Sequence, residues 1–283
     1  MRLAYGLWRL LRPSQWIKNG FVLAPLLFTG LFDDPQAVFR AFFAMFLFCA
    51  ASSTVYIVND ICDAEKDRLH PKKKLRPIAC GTVRPGAALW LASFLVLVQA
   101  AGFFYLREVF WVIVAYVSLN VLYTVKLKTI PVVDIFVVAT SFVLRVFAGG
   151  RALDVPVSAW MFVTTLSLAL FLASIKRRQE LSLMGSEGRT VLKNYSVDLV
   201  NRYAQISATG ALVFYSLFVM SARPELVVTI PVVLFGIFRY WYIVDSLGRG
   251  ESPTEAFLGD GQLLATVALW VLICGYLLVG TVR

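Results

Sequence analysis

Charge is scarce in this chain. Only 16% of its 283 residues are charged, whereas 59% are hydrophobic. That leaves too little polar surface to cover a soluble domain of this length, and it makes the bilayer the expected solvent. Histidine occurs once, at His70, with no His or Cys neighbour at ligand spacing, which argues against a zinc centre. The four cysteines (Cys49, Cys62, Cys80 and Cys274) show no paired spacing, and Cys49 and Cys274 fall inside apolar runs, so they read as packing residues. A cleavable leader is not expected either. Basic Met1 to Arg12 leads into a full-length apolar stretch without a small-residue cleavage site. The net charge of +10 is divided among short connections with no recognisable reading module, which excludes nucleic acid as a partner.

What the chain has in abundance is apolar sequence of spanning length. Stretches at about 17–33, 36–58, 86–106, 109–125, 130–150, 157–175, 203–222, 224–244 and 262–282 predict nine membrane helices. Long apolar runs without polar alternation argue against a barrel, so the expected fold class is an all-α integral membrane protein. It forms one transmembrane domain over 1–283, with polar loops at about 59–84, 123–134 and 176–202. Twenty lysines and arginines lie in the N-terminal segment and in the loops on its side, against five (Arg40, Arg107, Arg151, Arg223 and Arg283) on the other. Cytoplasmic loops retain positive charge, so the N-terminus is expected inside the cell and the C-terminus outside, as in a bacterial inner-membrane protein.

Chemistry concentrates where the second stretch meets water. Residues 58 to 67 read Val-Asn-Asp-Ile-Cys-Asp-Ala-Glu-Lys-Asp. On a continuous helix Asn59, Asp60, Asp63 and Asp67 share roughly one face, where like charges repel. A divalent cation relieves that repulsion. Hard oxygen ligands suit magnesium, which commonly takes one or two carboxylates together with substrate phosphates. Immediately downstream, Lys72, Lys73, Lys74 and Arg76 supply the cations that a polyphosphate needs beside its metal. Arg145, deep in the fifth stretch, is costly unless it meets a phosphate or an aspartate, and Asp134 is remote at 11 residues along the same helix. Arg239 lies close enough to a helix end to snorkel.

The pattern Asn59-Asp60-x-x-Asp63-x-x-x-Asp67, followed by Arg76-Pro77 in an apolar multi-span chain, resembles the UbiA superfamily of membrane prenyltransferases over essentially its whole length. Further segments are similar to one branch, the decaprenyl-phosphate phosphoribosyltransferases of the mycobacterial arabinose-donor pathway. They are Pro13-Ser14-Gln15-Trp16-Ile17-Lys18-Asn19, Asp67 to Lys73, Tyr123-Thr124-Val125-Lys126-Leu127-Lys128, Phe142 to Gly149, and Lys176-Arg177-Arg178-x-Glu180-Leu181. Aromatic prenyltransferases of the superfamily are expected to carry a second acidic motif near the end of the sixth span. This chain has Lys176, Arg177, Arg178 and a single Glu180 there.

The resemblance implies phosphoribosyl transfer from phosphoribosyl pyrophosphate to a polyprenyl phosphate, with release of pyrophosphate, for cell-envelope glycan synthesis. In that reading Asn59, Asp60, Asp63 and Asp67 hold Mg2+, and Asp60, Asp63, Asp67 and Arg145 are catalytic. Lys18, Asn19, Lys72, Lys73, Arg76, Tyr123, Lys126, Lys128, Lys176, Arg177, Arg178 and Glu180 bind substrate, without division between the two phosphates. A homo-oligomer is compatible with this reading. Prenyl transfer to an aromatic acceptor, as in quinone or haem O synthesis, shares the first motif but lacks its second. A transporter would gather its polar residues at the midplane instead of at the boundary.

Overall fold

The computed structural model describes residues 2–69, 73–184, 190–246 and 253–279. Every element among them is helical. In chain order the α-helices are α1 (Arg2–Leu11), α2 (Ala24–Thr29), α3 (Pro35–Cys62), α4 (Ala64–Leu69), α5 (Pro85–Gly102), α6 (Arg107–Val125), α7 (Val133–Leu153), α8 (Ala159–Met184), α9 (Val197–Ala222), α10 (Ile230–Asp245), α11 (Pro253–Leu258) and α12 (Gly261–Leu278). Short 3-10 segments join several of them, the longest being Pro13–Leu23.

Local chemistry sets the helix starts. The Asp34 carboxylate accepts from Gln36 N–H at 2.8 Å, with Pro35 at the first helical position of α3. The Ser196 hydroxyl accepts from Leu199 N–H at 3.1 Å at the start of α9, and Asp260 accepts from Leu263 N–H at 2.8 Å at the start of α12. Asp260 also takes Arg239 in a forked pair, at 3.1 and 2.6 Å, which ties α10 to α12. Arg239 therefore has a fixed acidic partner and does not merely snorkel.

Eight helices among the described residues are long and apolar enough to cross a membrane. The remaining expected stretch, 17–33, is not one regular helix. It is built from the Pro13–Leu23 3-10 segment, α2 and a second short 3-10 turn, Leu31–Asp33. It still spans the protein, because Arg12 at its start touches Asp60 at the C-terminal end of α3, while its far end caps the N-terminus of the same helix. Eleven residues of 3-10 helix and six of α-helix rise roughly 31 Å, about the thickness of a hydrocarbon core. The crossing count thus stays near nine, with one composite crossing.

Helices α3 and α7 form the interior. Their apolar windows are 61% and 67% buried, against 17–33% for the other six. Around them, Leu47, Phe48 and Ala51 of α3 pack on Val109, Ile113 and Tyr116 of α6 and on Ala148 and Ala152 of α7. A second cluster joins Phe171 and Ile175 of α8 to Ala204, Ala208, Ile237, Ile243 and Leu263. Large apolar side chains such as Trp90, Phe104 and Leu272 face outward, which costs nothing in lipid. The composite crossing can reach α7 because Gly149 has no side chain. A Cβ there would come within 1.9 Å of the Val22 carbonyl oxygen, and this close approach brings Asn19 beside Arg145.

Candidate active site

Helix α3 does not continue through the acidic motif. It ends at Cys62, Asp63 caps it with φ −96° and ψ 5°, and α4 begins at Ala64. Asp63 N–H still bonds the Asn59 carbonyl at 2.9 Å, and Asp67 N–H bonds the Asp63 carbonyl at 2.8 Å. The break therefore re-aims the carboxylates without separating the two segments. Asp60 and Asp67 turn inward and are buried, whereas Asp63 and Asn59 stay half-exposed. The expectation of four side chains on one helical face is thus replaced by a buried pair with two flanking groups.

One guanidinium joins that pair. Arg76 Nη1 lies 3.1 Å from Asp60 Oδ1 and 2.6 Å from Asp67 Oδ2. Arg12, at 2.5 Å, adds a second cation on Asp60 and stacks over the Tyr56 ring at 4.8 Å. Arg12 holds a left-handed backbone, φ 51° and ψ 60°, immediately before Pro13, a conformation costly for a non-glycine residue and one that aims its side chain back at α3. Its role was not legible in the sequence, where the only hint is a cation preceding a proline at the end of an apolar helix. Lys128 approaches Asp63 at 3.7 Å. Lys126 is exposed, Lys73 is half-buried, and Lys72 lies outside the described residues.

A resident cation fits the chemistry of this pair but not a cage. Among the described residues no three His, Cys, Asp or Glu side chains converge on a metal-sized site. Yet the position between Asp60 and Asp67 is one that already accommodates a positive group, the Arg76 guanidinium. Two hard carboxylates are also the protein share that magnesium commonly uses when phosphates complete its shell.

Arg145 is buried at 4% exposure without a carboxylate partner among the described residues. Its Nε donates to Asn19 Oδ1 at 2.8 Å, Nη1 to the Ser141 carbonyl at 2.6 Å and Nη2 to the Tyr116 hydroxyl at 3.1 Å. The rings of Tyr116, Phe142 and Phe48 lie 4.9, 5.3 and 5.8 Å from its guanidinium carbon. Asn19 is fully buried and donates in turn to Ser52 Oγ at 3.1 Å and Cys49 Sγ at 3.3 Å. Of the two partners expected for it, a phosphate or an aspartate, the described residues supply no aspartate. Neutral oxygens and π-faces orient the guanidinium while leaving its charge uncancelled. Lys18 lies half-buried on the same segment, one residue before Asn19.

The basic end of α8 behaves differently. Arg177 Nε meets Asp134 Oδ2 at 2.8 Å, both almost fully buried. The two atoms are at ion-pair distance without hydrogen-bond alignment, and each lacks a properly directed hydrogen bond. Arg177 also pairs with Glu180 and reaches the Tyr123 hydroxyl at 3.4 Å. Asp134 Oδ1 accepts from the Tyr195 hydroxyl at 2.6 Å, and that oxygen accepts from Val132 N–H at 2.5 Å. Val132 sits at φ 66°, and the tyrosine contact helps to hold this strained turn. Burial, then the hydrogen bond to Asp134, raises the Tyr195 pKa well above its ordinary value. Arg178 pairs with Asp245 and donates to Asn201 at 3.4 Å, while Lys176 is half-buried. Arg177 and Arg178, expected as substrate ligands, thus also tie α8 to neighbouring helices, while Glu180 pairs with Arg177 along α8 itself.

Comparison with known proteins follows the same lines. The chain matches the UbiA prenyltransferase family over residues 21–259. It is 33% identical to the decaprenyl-phosphate phosphoribosyltransferase of Mycolicibacterium smegmatis, covering 95% of this chain and 91% of that protein. It is also 33% identical to the Mycobacterium tuberculosis protein of the same name, covering 96% and 94%. A UbiA homolog from Archaeoglobus fulgidus bound to DMAPP and Mg2+ shares the fold, with a TM-score of 0.73 at 18% identity over 98% of this chain and 99% of that one. With its helical architecture, its buried Asp60–Asp67 pair at the end of α3 and these matches, the chain is a multi-pass membrane protein that belongs to the UbiA prenyltransferase family.

Proposed function

We propose that this protein transfers 5-phosphoribose from phosphoribosyl pyrophosphate to the phosphate of a polyprenyl lipid, releasing pyrophosphate, for cell-envelope glycan synthesis. The observation that carries this reading is the fate of α8. Where a second metal-binding acidic pair would serve a prenyl diphosphate, the chain has cations, and its one carboxylate there, Glu180, is joined to Arg177. The relatives named as phosphoribosyltransferases, matched over nearly the whole chain, support the same choice.

Asp60 and Asp67 would hold Mg2+ against the diphosphate of the donor, with Asn59 and Asp63 flanking, and the ion would supply neutralisation of the leaving-group charge. The chain's own groups do the rest. Arg76 and Arg12, already at the acid pair, turn their remaining donors to phosphate oxygens. Lys18 and Arg145 set a positive field where the acceptor anion must approach the ribose. A lipid phosphate oxygen attacks C1 of the ribose, and the C1–O bond to the pyrophosphate breaks with its electron pair. The acceptor is already an anion at neutral pH, so no proton needs to be removed. Charge develops on the ribose ring as in other displacements at an anomeric carbon, and positioning carries most of the rate.

In this reading the site faces the cytoplasm of a bacterial inner membrane, which the cationic loops beside it support. Purified protein given labelled phosphoribosyl pyrophosphate and polyprenyl phosphate should form an organic-extractable product only with both present. Turnover of a prenyl diphosphate with an aromatic acid, and none with phosphoribosyl pyrophosphate, would replace this reading with aromatic prenylation.

A further inference from the structure

A cleft of about 380 Å³ lies between α1 and the start of the Pro13–Leu23 segment, lined among others by Tyr5, Trp8, Arg9, Arg12, Ser14 and Gln15. Its walls are firmly built. Leu10 of α1 is fully buried against Ile57, Ile78, Val83 and Ala88. Gly6 packs so tightly that a Cβ there would meet Val83 Cγ2 at 2.7 Å. Trp8 meets Trp16 edge-on at 6.0 Å, and the Trp16 indole donates to Ser53 Oγ at 3.0 Å, fixing the turn between the two segments to α3.

The chemistry of the cleft is divided. Its polar side carries two guanidinium groups and the exposed Ser14 hydroxyl. Arg9 has no carboxylate partner among the described residues. It makes a long contact of 3.5 Å to the Leu75 carbonyl and lies 5.9 Å from the Tyr5 ring. Arg12 lines the cleft and its guanidinium touches Asp60 at 2.5 Å, so one residue links the cleft to the acid pair. The outer side is apolar. Leu3, Tyr5 and Trp8 are 52%, 64% and 54% exposed on a short amphipathic helix whose other face is buried. Such a helix lies at the membrane boundary, where aromatic side chains settle at headgroup level. A soluble sugar phosphate has no use for that apolar flank, whereas a phosphate monoester with a hydrocarbon tail uses both sides.

We propose that this cleft seats the phosphate of the acceptor lipid, with Arg9 and Arg12 as its counter-charges and the tail leaving over Tyr5 and Trp8. The inference rests on the phosphoribosyl-transfer reading only in taking the acceptor to be a lipid phosphate. It adds Arg9 and Arg12, neither of which the sequence singled out, to the cations that serve the site.

The test is equilibrium binding of farnesyl phosphate to the detergent-purified full chain without phosphoribosyl pyrophosphate. Farnesol, inorganic phosphate and phosphatidylglycerol serve as competitors. Arg9→Gln should weaken binding about tenfold, the loss of one charged hydrogen bond, and Arg9→Lys should recover most of it. Ser14→Glu, which places a negative charge in the cleft from an exposed position, should weaken binding at least as much. Thermal midpoints read alongside should stay near that of the unaltered protein. Unchanged affinity in Arg9→Gln or in Ser14→Glu would overturn the proposal. So would displacement of farnesyl phosphate by equimolar inorganic phosphate, farnesol or phosphatidylglycerol. Arg9-dependent binding without any phosphoribosyl product would keep the cleft and refute the transferase reading. Turnover with Arg9-independent lipid binding would do the reverse.

Discussion

Asp67 is 4% exposed and its carboxylate is met by a guanidinium at 2.6 Å, which is not how a solvated helix end is built. Bringing this carboxylate and that of Asp60 out of water is costly, and Arg76 and Arg12 offset the cost only while they stay in contact. Asp67→Asn keeps the shape but removes one charge from the pair. Turnover should fall on the order of 100-fold, the scale for losing one preorganised charge partner in a site, and the magnesium dependence of the initial rate should shift. The protein should still insert and purify, since Asp60 retains both arginines. Superimposable rate curves against magnesium concentration for the two proteins would contradict the assignment. Arg145 shows a limit of reading at this scale. A buried cation was evident from its position in an apolar run, but its partner Asn19 is 126 residues away and neutral. No pattern of charges in the sequence could indicate it.

At the scale of elements, apolar runs made the helices legible because a spanning helix needs length and little else. Two features escaped, and each lies where residues from outside its own segment make contact. At the break, Arg76 meets Asp67 and Lys128 approaches Asp63, both from outside the helix. The Pro13–Leu23 segment is 3-10 helical, and its end at Val22 sits closely on Gly149, a residue remote in sequence. The basic run Lys176-Arg177-Arg178 was visible, but its partners Asp134 and Asp245 lie on other helices, so a phosphate site and a helix lock read alike in sequence. Tyr195 tests the lock. Its hydroxyl joins Val132 N–H to Asp134, and Tyr195→Phe leaves both without it, at a cost of about 1–3 kcal/mol. The folded-state pKa is raised, so the proton is held more tightly in the native protein. That contribution is full below the unfolded value of about 10 and drains away as pH rises above it. Thermal unfolding from pH 8 to 11 should therefore show the two midpoints converging at the alkaline end. A constant gap would contradict the role given to the hydroxyl.

For the whole molecule, the composite crossing decides topology. Because Arg12 and the C-terminal end of α3 share one side, the Pro13–Asp34 stretch runs the length of α3, and with the eight helices of spanning length among the described residues the expected number of crossings is nine. Reporters fused before Met1 and after Arg283 should fall on opposite sides, the first in the cytoplasm. Reporters on the same side would mean that one crossing has been miscounted. The architecture itself follows from composition, since few charges and long apolar runs leave an all-helical membrane bundle as the outcome. The choice of reaction does not, because one buried acidic pair fits the diphosphate of a sugar donor and that of a prenyl donor alike. Two preparations of phosphoribosyl pyrophosphate, labelled with phosphorus-32 either in the 5-phosphate or in the diphosphate, test that choice most directly. Given to the protein with polyprenyl phosphate, the 5-phosphate label should move into the lipid phase and the diphosphate label should remain aqueous as pyrophosphate. Diphosphate label in the lipid, or no transfer of the 5-phosphate label, would contradict phosphoribosyl transfer.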